Sequence, residues 1–121
     1  MSQSLHVPGV LRRGALRGKP EEYVQSGAAL VRLLCARLGL ADLGGTAVLD
    51  MGCGTKITEA LQAGNLPIGR YVGIDVYREM IEHLRCEVRD SRFAYFHIDT
   101  TRVVLRCRRT RAFRYPRRTS T

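Results

Sequence analysis

The chain contains no tryptophan, only two lysines, and no acidic residue in its first 20 or last 22 positions. Its four cysteines, Cys35, Cys53, Cys86 and Cys107, form no CxxC pair and have no histidine at zinc spacing. That argues against a metal site and a disulfide framework, and it reads as the cysteine usage of a reducing, cytoplasmic compartment. No apolar run reaches the ~18 residues of a membrane span, and no signal-peptide core precedes a small-residue cleavage site. His6, His83 and His97 stand alone, so they read as packing or surface residues. Nothing pairs a nucleophile with a base or sets two catalytic carboxylates together. The basic residues ahead of Glu21 faintly resemble a transit peptide, but a plain N-terminal arm is the simpler reading.

What is present divides the chain in three. At 121 residues it fits one domain, which at this size buries roughly two-thirds of the surface its unfolded form exposes. The net charge of +9 is unevenly spread: residues 1–99 carry 12 Lys or Arg against all 11 acids, whereas residues 100–121 carry 8 Arg and no acid. Residues 1–19 mix Gly, Pro, Ser and Arg without periodicity and are expected to be a mobile basic arm. Residues 20–99 form the domain, and 100–121 a basic, irregular Arg-rich tail. Such a tail can bind nucleic acid by releasing counterions from phosphates.

Pro20 suits a first helical position, Glu21 and Glu22 complement the positive end of the helix dipole, and Gly39 follows the last turn. Val24, Ala28, Val31, Cys35 and Leu38 make one apolar stripe, which predicts a helix packed on a sheet. The run AVLDMGCG, Ala47 to Gly54, is the centre of the pattern. An apolar run that ends in an acid and two spaced glycines reads as a buried parallel strand feeding a tight loop and a helix. Glycines there can take φ > 0 and let a nucleotide-like ligand approach the backbone. Residues 55–63 read as a short helix, Tyr71 to Val76 as a second strand, Tyr77 to Val88 as a helix, and Phe93 to Ile98 as a third strand ending at Asp99. Strand, helix and strand within ~30 residues form a right-handed βαβ unit. Ligands of such sheets bind at the carboxyl ends of the strands, where Gly52, Gly54, Asp75 and Asp99 converge.

The runs VLDMGCGT, GIDVYREMI and FAYFHID, in that order and at that spacing, resemble class I S-adenosylmethionine-dependent methyltransferases over roughly residues 20–100. A dinucleotide-binding GxGxxG fits less well, because its third glycine position is Ile57. The resemblance implies an α/β fold, a Rossmann-like three-layer sandwich left incomplete, with parallel strands in the order 3-2-1. It also implies S-adenosyl-L-methionine as cofactor. Gly52, Cys53 and Gly54 match the loop that passes along the methionine part and offers amides. Asp75 matches the acid that accepts the ribose hydroxyls. Val76 and Met80 match positions flanking the adenine, although Met80 is equally readable as helix core. Asp99 matches the acid near the adenine amine, or is a simple strand-end acid. Asp50 orients the loop or the methionine ammonium group, or is structural. The family's third loop glycine is here Lys56, which faces solvent or reaches the methionine carboxylate.

Methyl transfer depends mainly on in-line positioning of the acceptor, and the family draws acceptor residues from its fourth strand and later elements. Those elements need more chain than follows Asp99. From Thr100 the sequence shows neither the next helix nor the next strand, as after a frameshift or truncation. Without a fourth strand the first becomes an open edge, which predicts dimerisation through that edge unless Val103, Val104 and Leu105 cover it. The expected function is therefore methyl transfer, with activity of this chain alone in doubt. The alternative is a noncatalytic protein that meets nucleic acid or a partner subunit through residues 100–121.

Overall fold

Two apolar runs separated by a helix settle into neighbouring parallel strands, and a third strand adds beside the second. The computed structural model describes residues 5–99. In chain order these are a single 3-10 turn, Gly9–Leu11, then α1 (Pro20–Leu38), β1 (Leu43–Met51), α2 (Lys56–Ala63), β2 (Ile68–Asp75), α3 (Arg78–Glu87) and β3 (Phe93–His97). The sheet order is β1-β2-β3, parallel throughout, with Val48 opposite Tyr71 and Tyr71 opposite Phe93. This open α/β sheet with flanking helices is consistent with an incomplete Rossmann-like fold. Readings that fall on residues 100–121, including the basic tail and the covering run Val103 to Leu105, lie outside the described residues.

The core sits on one face of the sheet. Tyr71 of β2 and Phe93 and Tyr95 of β3 point to it, with ring centroids 5.6 and 6.1 Å from Tyr71. Met80, Ile81 and Leu84 of α3 are buried in the same cluster, and each such side chain contributes about 1.5–3 kcal/mol by leaving water. The Tyr95 hydroxyl reaches Thr58 Oγ1 of α2 at 2.6 Å, so its polar tip is satisfied within the core. Residues of alternate parity, Leu49, Met51, Val72, Ile74 and Phe96, line the opposite face. Leu49, Met51 and Phe96 there are 63%, 64% and 54% exposed, so among the described residues no layer covers that side.

Two expectations change here. The stripe on α1 predicted a helix lying on the sheet, but α1 packs chiefly on α2. Its buried line is Tyr23, Gly27, Val31 and Cys35, at a spacing of four, while Leu38 is exposed. Gly27 permits the contact: a Cβ there would stand 2.6 Å from the Lys56 carbonyl oxygen and 2.9 Å from Ala60 Cβ. Part of the arm expected to be mobile, residues 5–13, also packs against the domain. Val7 and Leu11 are buried in the core, and the Arg12 guanidinium binds Glu59 of α2. Two apolar side chains spaced by one 3-10 turn anchor the segment, a pattern too short to register as periodicity.

Candidate functional site

β1 delivers the chain to a turn in which Gly52 and Gly54 have φ of 72° and 54°, the left-handed region that favours glycine. A Cβ at either position would meet nothing within 4 Å, so the outer side of the turn is open. Its amides are directed inward. Gly52 and Cys53 donate to the Ile74 carbonyl at 2.7 and 3.1 Å, and Gly54 donates to Asp75 Oδ2 at 3.0 Å. The three amides expected to face a ligand are thus bonded within the chain. What the loop presents is bare glycine backbone, while its hydrogen-bonding capacity fastens it to the end of β2.

Asp75 is the hub of that fastening. Its carboxylate is buried at the end of β2 and accepts three hydrogen bonds: Gly54 N–H on Oδ2, and on Oδ1 the amide of Tyr77 at 3.0 Å and the Arg13 guanidinium at 2.9 Å. Burial pushes the carboxyl upward, but the two amides and the guanidinium outweigh it and hold it below the usual carboxylate range. Asp75 is therefore an ionised acceptor placed against the glycine turn. Arg13, which also lies over the Tyr77 ring at 5.7 Å, was not legible in the sequence. It stands 62 residues from Asp75, and no periodic signal links the two.

The other expected site residues divide. Val76 is exposed directly after Asp75, on the same rim. Asp99 is exposed two residues beyond the end of β3, whose continuation is tied to β2 by the Ile98 amide on the Asp75 carbonyl at 3.0 Å. Asp50 accepts the Tyr71 hydroxyl at 2.6 Å, which gives it a structural partner on the core face. Cys53 is buried, and its thiol is pushed up to about 12 by burial and by the nearby carboxylates of Asp75 and Asp50. Met80 is fully buried in the core and presents no surface to the rim. Lys56 is partly buried, and its ammonium lies 5.2 Å from the centre of the Tyr23 ring. His83 and His97 donate to the backbone carbonyls of His6 and Val76 at 2.8 and 3.2 Å, in keeping with packing roles.

A buried polar network supports the loop from behind. The Tyr23 hydroxyl donates to Thr55 Oγ1 at 3.0 Å, and Thr55 donates to Glu59 Oε2 at 2.7 Å. Arg12 closes the network with three contacts to the Glu59 carboxylate, the shortest 2.6 Å, while its guanidinium lies 5.2 Å from the centre of the Tyr23 ring. Thr55 directly follows Gly54, so the network holds the start of α2 and with it the exit of the turn. Cavities of about 360 and 610 Å³ open elsewhere, along the C-terminal half of α1 and between the arm, α1 and α2. Neither contains the glycine turn or Asp75. Of the two carboxylates that line the larger cavity, Glu59 is already neutralised by Arg12 and Glu21 is an exposed residue of the first turn of α1, so the glycine turn is the better candidate.

No protein-family model matches the chain, and no solved structure matches it at a significant level. The chain is similar to a methyltransferase. It is 36% identical over 77 residues to the trans-aconitate 2-methyltransferase of Enterobacter sp. (strain 638), a stretch covering 61% of this chain and 30% of that protein. The chain thus spans about a third of the length of this curated relative. The geometry fits the cofactor of such an enzyme in two respects. The turn is open where side chains would otherwise stand, and an ionised acceptor able to hold hydroxyl groups lies beside it.

Proposed function

We propose that this chain binds S-adenosylmethionine at the Gly52–Gly54 turn and is the cofactor-holding part of a class I methyltransferase. The observation that carries the reading is the hydrogen bond from Gly54 N–H to Asp75 Oδ2 at 3.0 Å, which joins the glycine turn and the strand-end acid in one rim. The similarity to a curated methyltransferase supports it independently. In this reading the backbone of Gly52, Cys53 and Gly54 lies along the methionine part, and Asp75 accepts the ribose hydroxyls. Val76 and Asp99 stand beside the adenine. Asp50 holds the strand behind the turn through Tyr71, and Met80 backs the site from the core. The cofactor, when bound, supplies a methyl group already activated on a sulfonium. The protein's part is then to hold the adenosyl group still and to keep the charged acceptor in place.

Calorimetric titration of the full chain with S-adenosylhomocysteine tests this reading. Binding is expected, and Asp75→Ala is expected to weaken it about 10- to 100-fold, the worth of one charge-assisted hydrogen bond. Absence of binding to the wild-type chain, or binding indifferent to Asp75→Ala in a variant that still melts cooperatively, would overturn it.

A further inference from the structure

Asp75 is less available to a ligand than its position suggests. A carboxylate has about four acceptor directions. Three are taken within the chain: Oδ1 by Arg13 and the Tyr77 amide, and Oδ2 by the Gly54 amide. The two amides belong to the turn and to the start of α3, and cannot leave without dismantling them. Arg13 can. Its side chain is 52% exposed while that of Asp75 is 1% exposed, so the guanidinium forms the outer layer over the acid. A vicinal diol needs two acceptor directions, and only one is vacant while Arg13 stays.

We infer that Arg13 is a displaceable stand-in for a ligand diol, so that binding of a ribonucleoside at Asp75 is an exchange of one Arg13 contact for two hydroxyls. The inference rests on the proposed cofactor site and adds the residue that sets its affinity. The exchange is local. Val7 and Leu11 in the core and Arg12 on Glu59 hold the arm on the N-terminal side of Arg13, and Tyr23 of α1 is the next buried residue after it, so Arg13 can swing off the acid while the preceding segment stays docked. While bonded to the acid its guanidinium already lies over the Tyr77 ring, 5.7 Å from its centre, with half of the side chain in water, so a short swing keeps its charge solvated. The pair is exposed on the Arg13 side and buried on the Asp75 side, so release is favourable only when two hydroxyls take up the freed acceptor directions as charge-assisted hydrogen bonds. A ligand without the diol has nothing to gain from the exchange.

The test compares S-adenosylhomocysteine with its 2′,3′-dideoxy analogue on the wild-type chain and on Arg13→Ala. Removing Arg13 is expected to tighten the ribose ligand at least about twofold, the lower end set by a fully exposed pair, and to leave the dideoxy analogue unchanged. Arginine side-chain NMR supplies a second readout: the Arg13 Nε resonance is expected to shift toward that of free arginine on saturation with the ribose ligand, and not with the dideoxy one. Unchanged or weaker ribose binding in Arg13→Ala would overturn the exchange, as would equal tightening of both ligands, which means simple blockage. If neither ligand binds either form, the cofactor site itself fails. Binding of the ribose ligand that depends on Asp75 and ignores Arg13 leaves that site standing and removes only the exchange.

Discussion

Cys53 and Asp75 are neighbours with opposite responses to the same burial. The Asp75 carboxyl receives two amides and a guanidinium, which hold it ionised, whereas for the Cys53 thiol burial and the carboxylates of Asp75 and Asp50 outweigh its own backbone amide and the more distant Arg13. Ionisation of the thiol is pushed up to about 12 from an ordinary 9.0. A thiol raised on folding contributes stability that is complete below its unfolded value and is lost as pH rises toward its folded one. The stability of the domain is therefore expected to fall between pH 9 and about 12, over and above the effect of other groups. The more direct check is chemical. Alkylation of the folded chain at pH 8, mapped by peptide mass, is expected to modify exposed Cys86 and to spare Cys53 until urea is added. Equal modification of both in the native state would mean that the turn opens far more readily than its hydrogen bonds imply.

At the scale of the element, α2 is the piece on which the site turns, because its first residues continue the glycine loop. Glu59 is buried and is matched by an equally enclosed Arg12, so loss of either partner strands a charge. Glu59→Gln is expected to destabilise the domain by about 3 kcal/mol in a urea titration. The paired change Arg12→Met with Glu59→Met is expected to recover most of that loss, since the desolvation cost disappears along with the attraction. Similar losses in the single and paired variants would show that the ion pair itself, rather than the avoidance of a lone buried charge, stabilises the fold. This element also marks how far the sequence is readable. Its existence, its length and the strands on either side follow from contiguous apolar runs punctuated by glycine and proline: α2 lies within a residue of its expected bounds, whereas β1 and β2 begin earlier than the runs at Ala47 and Tyr71 implied, at Leu43 and Ile68. The parallel order of β1, β2 and β3 is similarly local, because each βαβ unit has one favoured hand. The contacts that make α2 part of a site are different in kind. Arg12 and Glu59 lie 47 residues apart, and Arg13 and Asp75 lie 62 apart. Neither pair sits in a periodic pattern, and an arm rich in Arg and Gly looks the same in sequence whether or not it docks. The stripe on α1 likewise states which side is apolar without stating what it meets, which is why a helix expected on the sheet lies on another helix.

For the molecule as a whole, the helices that connect β1-β2-β3, α2 and α3, both meet the core on one side of the sheet, as crossovers of a single hand require. Parallel strands are normally buried on both faces, and the composition of these strands is apolar on both. Leu49, Met51, Val72, Ile74 and Phe96 thus form a continuous apolar surface without a covering layer among the described residues. Patches of this kind mark association surfaces. β1 also has only β2 as a neighbour among the described residues, which leaves its outer edge able to pair. The two routes to association have different sensitivities. Edge pairing runs through backbone groups and tolerates a change of side chain, whereas stacking of one sheet face on another depends on the side chains themselves. Stacking would cover Leu49, Met51 and Phe96, each more than half exposed, which edge pairing leaves in water, so of these two routes the face is expected to dominate. In sedimentation velocity the wild-type chain is expected to associate as its concentration rises, and Leu49→Lys combined with Phe96→Lys is expected to shift it to monomer. Neither side chain belongs to the helix-side core, so the variant's circular dichroism is expected to stay unchanged. Association that survives both lysines would assign it instead to the β1 edge, and a proline within β1 would then be the change that abolishes it.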